Sequence, residues 1–300
     1  MHIFWFALLV GGLRLAFSAF VEFYSNCTVE GQMNAKPCSD PCFQGCTSHT
    51  RTGGRLEVVC QSLNCTCIPN GIPQKVTSLI FTGNSLQCLR VGTFQKLKEL
   101  EELDLRDNKI CQIEPKAFKG LIKLRRLDLS DNRLQKNKLA FLVYLSKLEE
   151  LSMSKTVPSR QSKPKRIMPP NQLKKLFYAE NYFRGIQVFH SGEHGLPTPK
   201  LTELHLEDNN IRQIYSRDLL DLESLENLFL CRNFVDFIEN GALNFLIKLN
   251  YLNLDGNPLV QLEHTSLLSN SIEFVSLSNT KLFSEPQYSS KHPLISTTPF

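Results

Sequence analysis

From Leu100 onward, apolar residues return in one phrase: a leucine, two polar positions, a second leucine, one polar position, a third leucine, two more polar positions, then asparagine. LEELDLRDNKI opens at Leu100 and LRRLDLSDNRL at Leu124, and further units open at Leu148, Leu173, Leu201, Leu225, Leu249 and Ile272. A degenerate unit starts near Val76. Most spacings are 24 residues, with 25 and 28 where connections lengthen. The two leucines separated by one residue predict a short strand that turns both side chains inward, since strand side chains alternate between faces. One unit cannot bury that pair alone, so consecutive units must stack and their strands form a parallel sheet. The polar column Asn84, Asn108, Asn132, Asn181, Asn209, Asn233 and Asn257, with Thr156 and Thr280 in two slots, is placed to bond turn backbone groups. Ten residues after each asparagine stand Phe94, Phe118, Leu142, Leu219, Leu243 or Leu267, a column expected to pack the convex side. Ser191, in the loop HSGEHGLPTP, and the Pro/Lys segment 155–170 break that column and mark two irregular units.

The phrase resembles the leucine-rich repeat. The resemblance implies an α/β solenoid, a leucine-rich-repeat horseshoe with a parallel concave sheet and about nine repeats. Ahead of it, Cys38, Cys42, Cys46 and Cys60 accompany Leu56-x-Val58-Val59 and Ile68-Pro69-x-x-Ile72-Pro73. This block is similar to the cysteine-rich N-terminal cap of extracellular leucine-rich-repeat proteins such as small leucine-rich proteoglycans, Slit-like proteins and Toll-like receptor ectodomains. In that family the cap bridges join first to third and second to fourth cysteine, which implies Cys38–Cys46 and Cys42–Cys60. Cys27, Cys65 and Cys67 are extra to the pattern. Cys88 and Cys111 occupy similar loop positions in adjacent repeats and are expected to form a lateral staple. Cys231 stands several strands away from the cap, beyond disulfide reach, and is expected to be a thiol.

The chain has 300 residues, of which 42% are apolar and 21% charged, so most of it should fold. Ten cysteines, seven of them between Cys27 and Cys67, point to an oxidising compartment rather than to zinc. Residues 1–18 read as a signal peptide: a short apolar run from Ile3 to Gly12, then Ala16-Phe17-Ser18 as a cleavage site. The expected organisation is 1–18 signal, 19–75 cysteine-rich cap, 76–283 repeats and 284–300 polar tail. Asn26-Cys27-Thr28 and Asn64-Cys65-Thr66 are glycosylation acceptors. The formal charge of +5 is spread along the chain, so nucleic acid is not an expected partner, and no later stretch is apolar enough to cross a membrane.

The outward strand positions form columns across the sheet. Glu101-Glu102, Arg125-Arg126, Glu149-Glu150, Lys174-Lys175 and Thr202-Glu203 alternate in sign, which predicts a self-neutralising ladder. In the C-terminal half, Phe177, His205 and Phe229 line one outward column, with Tyr251 and Phe274 on its neighbour and Arg232 at the rim. A clustered aromatic patch with a charged rim suits protein recognition, although rings stacked along a sheet need no ligand. The basic segment 155–166, with Arg160, Lys163, Lys165 and Arg166, reads as a solvated loop, a glycosaminoglycan contact or a processing site. No nucleophile elbow, zinc-protease helix, P-loop or dinucleotide fingerprint occurs. His190 and His194 lie in a Gly/Pro-bounded loop, and no third group completes a site with Asp104 and Asp128. The expected function is therefore not enzymatic and needs no cofactor or metal. It is a secreted or cell-surface module that binds an extracellular protein on the concave face, of matrix or growth-factor-binding type. A Toll-like receptor ectodomain, or a fragment of one, is the alternative reading.

Overall fold

In the computed structural model the described residues are 40–134, 139–156, 170–186, 200–262, 271–282 and 294–296. All belong to one compact unit, Asp40–Phe300. The signal segment, Asn26, Cys27, Cys38, Arg160, Lys163, Lys165, Arg166, His190, Ser191, His194 and Leu267 lie outside them.

A 12-stranded sheet runs through the unit in chain order, so each strand pairs with the strand of the next turn. Its first pair is an antiparallel hairpin, Thr47–Arg51 with Arg55–Val59, and every later pair is parallel. The repeat strands are three residues long. Leu103, Leu127, Leu151, Leu176, Leu204, Leu228, Leu252 and Val275 align across them, all buried. The sequence places the last repeat residue at 283, and the sheet continues one strand further, with Leu294–Ser296 paired to Phe274–Ser276.

Each turn is closed by two backbone devices. The residue before the asparagine column adopts a left-handed conformation: Gly83, Asp107, Asp131, Lys155, Glu180, Asp208, Arg232, Gly256 and Asn279 have φ between +51° and +67°. That reversal costs a residue with a Cβ about 1–2 kcal/mol. It sets the asparagine amide against the preceding turn. Asn108 Nδ2 donates to the carbonyls of Phe81 (2.8 Å) and Leu105 (3.0 Å), while its Oδ1 accepts the Leu86 N–H at 3.2 Å. Asn132, Asn209, Asn233 and Asn257 repeat the arrangement. Thr156 and Thr280 donate to the carbonyls of Met153 and Leu277 in their own turns, and Thr156 also reaches forward to Asn181 Oδ1 at 3.1 Å, but neither ties back to the preceding turn as the asparagines do. Phe94, Phe118 and Phe141 stack behind the sheet at 5.6 and 5.1 Å. Thus Phe141 supplies the third ring beside the equally buried Leu142.

The cap corrects the expected disulfides. Cys46 pairs with Cys60 and Cys42 with Cys65, in place of Cys38–Cys46 and Cys42–Cys60. The hairpin register decides this. Thr47 faces Val59, so the preceding Cys46 faces Cys60, at a Cα separation of 4.4 Å. Cys67 and Cys111 are also in disulfides. Cys111 therefore does not staple Cys88, which carries a thiol. Cys88 aligns with Gln112, not Cys111. The one-residue offset turns their side chains to opposite faces, and Cys111 is the buried one. Cys231 is a buried thiol, as its distance from the cap predicts.

Candidate functional site

Because the middle residue of each strand points into the core, the two flanking side chains must point out. In the first half of the solenoid these are the charged rows. Glu101 meets Arg55 at 3.3 Å, Arg125 meets Glu149 at 3.1 Å, and Glu149 also takes Lys174 at 2.9 Å. In the next row Arg126 pairs with Glu102, and Lys175 with Glu203 at 2.7 Å. The alternating ladder forms as the sequence predicts, and exposed pairs of this kind contribute little each. Sequence reasoning left Asp104 and Asp128 without a third group, and the structure supplies one. Arg106 Nη2 lies 2.7 Å from Asp104 and its Nε 3.3 Å from Asp128. Burial pushes the Asp128 carboxyl above the usual range, against the pull of Ser130 and Arg106.

The second half carries the aromatic track. Phe177, His205 and Phe229 sit in perfect register on neighbouring strands. Phe177 and His205 stack at 4.4 Å, and His205 and Phe229 at 4.1 Å with only 9° between planes. The track then steps to the neighbouring column. Phe229 meets Tyr251 at 5.3 Å, and Tyr251 stacks on Phe274 at 5.4 Å. Five rings on five consecutive strands thus form one continuous, half-buried line, and all five sequence candidates lie on it. Arg232 stands at the rim in a left-handed turn position, forked onto Asp208 at 2.8 and 2.7 Å. That bond raises its already high pKa further.

His205 is the second ring of the track, held between Phe177 and Phe229. Its Nδ1 lies 2.7 Å from Glu207 Oε1 and its Nε2 2.8 Å from Glu203 Oε1. The signal was present in the sequence as Glu203-Leu-His205-Leu-Glu207, since alternation puts all three polar residues on one face. Burial alone would lower the imidazole pKa. The bonds to Glu207 and Glu203 outweigh it and raise the pKa above the ordinary value. Burial likewise opposes ionisation of Glu203, and the Lys175 and His205 bonds bring it below its usual range.

Asn64 and Thr66 of the second glycosylation acceptor are exposed, and Asn64 Oδ1 accepts the Ser85 hydroxyl at 2.7 Å. Cys65 between them is buried in its disulfide. Among the described residues no helix is long and apolar enough to cross a membrane, and no group of three or more His, Cys, Asp or Glu side chains could hold a metal.

The Leucine rich repeat family profile matches residues 74–134 and 199–259. Trophoblast glycoprotein of Macaca fascicularis is 28% identical over 262 residues, 75% of this chain and 57% of that protein. Toll-like receptor 7 of Mus musculus is 30% identical over 220 residues, 67% of this chain and 20% of the receptor. Biglycan of Xenopus laevis is 43% identical over 67 residues, 22% of this chain and 18% of its own. The chain therefore spans well under two thirds of each of these relatives. Among solved structures, human 5T4 (trophoblast glycoprotein) superposes with a TM-score of 0.59 and 26% identity over 74% of this chain and 83% of that one. TLR13 in its ssRNA13 complex superposes with a TM-score of 0.58 over 73% of this chain and 30% of that one; at 24% identity it shows the fold alone. The repeat phrase, the disulfide-bonded cap and the parallel sheet make the fold that of a leucine-rich-repeat solenoid, and over these stretches the chain is similar to leucine-rich-repeat proteins.

Proposed function

We propose that this protein is a secreted or cell-surface binding module that recognises an extracellular protein along the outward aromatic track. The observation that carries the reading is the track itself: Phe177, His205, Phe229, Tyr251 and Phe274 line up on the solvent side of five strands. Stacked pairs of this kind contribute about 0.5–1.5 kcal/mol each to the sheet, and their half-exposed faces are still open to a partner. Aromatic side chains give a binding face large contact area at low entropic cost, and Arg232, already ordered by Asp208, supplies a charged rim. A matrix or growth-factor-binding role is the preferred form of this reading, supported by the local match to biglycan. A receptor ectodomain is the second form, favoured by the longer match to Toll-like receptor 7. Secretion through residues 1–18 and glycans on Asn26 and Asn64 belong to either form. A glycosaminoglycan contact through Arg160, Lys163, Lys165 and Arg166 would be an accessory.

The test is capture. Protein beginning at residue 19 and a Phe177→Ala/Phe229→Ala double variant are immobilised and offered secreted and surface proteins, after both show the same urea unfolding midpoint. The reading expects a partner kept by the native chain and lost by the variant. Equal capture by both overturns it and moves the site to segment 155–166, which retention on heparin, compared with a Lys163→Ala/Arg166→Ala variant, then checks.

A further inference from the structure

The chemistry at His205 goes beyond what a stacked ring requires. A neutral imidazole has one N–H and one lone pair. Here both ring nitrogens lie within 2.8 Å of a carboxylate oxygen, so only the imidazolium donates to both. The same ring lies between two phenyl faces at 4.4 and 4.1 Å, where a cation is attracted by both π systems.

We propose that His205 is a proton-operated clamp: as the imidazolium it fixes Phe177 and Phe229 in line across three strands, and on losing its proton it releases these first three rings of the aromatic track. The consequence for affinity rests on the reading of that track as the binding site; the clamp itself does not.

The groups that face His205 are few. On its own strand there is Glu203, and in the turn that follows there is Glu207. From the preceding strand Lys175 faces it through its 2.7 Å bond to Glu203, and Phe177 is uncharged. Beyond that strand Glu180 is bound to Lys155 at 3.0 Å. From the following strand come Asn227 and Phe229, both uncharged. The turn after it brings Cys231 and the Arg232–Asp208 fork. Burial pushes the Cys231 thiol up, so it stays neutral where the histidine titrates. Around the ring Lys175, Glu203, His205 and Glu207 balance while the imidazole is charged. Deprotonation then leaves one carboxylate facing a lone pair. The ring then turns away from Glu203 or Glu207, and the 9° stack with Phe229 is lost.

The sign follows from the raised pKa. The clamp is fully closed below the ordinary histidine pKa of about 6.5, and it opens as pH rises through the higher folded-state value. A ligand that needs an ordered track binds best in the closed form, since the closed form has already met the cost of ordering.

The experiment is a histidine-observed NMR titration of the full chain, needing no ligand. The Cε1–Hε1 signal of His205 is identified by its loss in His205→Phe, which keeps a ring in the stack. The expected result is a midpoint above that of an exposed histidine, lowered by Glu207→Gln, with the ring signals of Phe177 and Phe229 shifting at the same midpoint. A His205 midpoint at or below the exposed value overturns the clamp. So does a raised midpoint that the two phenyl rings ignore. Thermal unfolding against pH is the second readout: the native chain loses melting temperature relative to His205→Phe as pH rises through the midpoint. A constant difference between the two chains overturns the proposal. Loss of the titration with capture intact removes the clamp alone, and capture unaffected by Phe177→Ala/Phe229→Ala removes the binding reading alone.

Discussion

Replacing Asn132 by alanine strips one turn of the solenoid of its internal tie. The amide donates to the Leu105, Leu129 and Ser130 carbonyls at 2.9, 2.9 and 3.1 Å, and its Oδ1 accepts the Ile110 N–H at 2.9 Å. Leu105, Leu129 and Ile110 are fully buried and Asn132 nearly so, so water cannot take its place. Leu105 O keeps a second donor in Asn108, whereas the Leu129 carbonyl and the Ile110 N–H lose theirs. Two stranded backbone groups at roughly 1–3 kcal/mol each give an expected loss of about 2–6 kcal/mol. The chain holds its own calibrator in Thr156, whose hydroxyl keeps the bond to its own turn, at 2.8 Å to Met153 O, and lacks the asparagine's tie to the preceding turn. Asn132→Thr should therefore lose about 1 kcal/mol less than Asn132→Ala. Asn132→Asp should lose more, because it aims a carboxylate at three carbonyl oxygens. Urea unfolding of the oxidised protein, followed by far-ultraviolet circular dichroism and checked for a common slope, measures all three. The order aspartate, alanine, threonine is the prediction. An aspartate variant as stable as the native chain would refute the hydrogen-bond account of the turn.

Two further outcomes follow from the core and the cap. Phe118→Ala opens a hole between Phe94 and Phe141 and should lose about 3–5 kcal/mol in the same urea assay, while the exposed Ile122→Ala should change little. Peptide mapping of the oxidised chain by mass spectrometry should recover Cys42–Cys65 and Cys46–Cys60, and a Cys46→Ser/Cys60→Ser variant should lose about 3 kcal/mol, as expected for a 14-residue separation.

The sequence disclosed whatever depends on period. Counting from Leu100 finds the strands, the inward leucines, the asparagine column and the charge ladder, because each is a repeated answer to one stacking problem. The same counting placed the five aromatic residues on the outward face, since alternation decides direction. It faltered where geometry is decided by one residue. Cys88 and Cys111 look equivalent in a loop, yet the ladder pairs Cys88 with Gln112 and turns the two sulfurs apart. The cap bridges follow the register of a hairpin, Thr47 against Val59, which an ordered list of cysteines does not contain. The Arg106 bridge between Asp104 and Asp128 and the Glu203–His205–Glu207 bonds depend on how far long side chains reach, and period says nothing about reach.

Ties that run only from one turn to the next also decide how such a molecule answers force. Under tension on its two ends the turns are in series and carry the same load, and a terminal turn, which has a neighbour on one side only, is the first to give way. Each turn of 24 residues that peels off would pay out roughly 80 Å of extended chain. Extension would thus proceed in steps, one turn at a time. At the N-terminal end, Cys42–Cys65 and Cys46–Cys60 bar the cap from paying out at all. Mechanically the protein is a spool with one fixed flange.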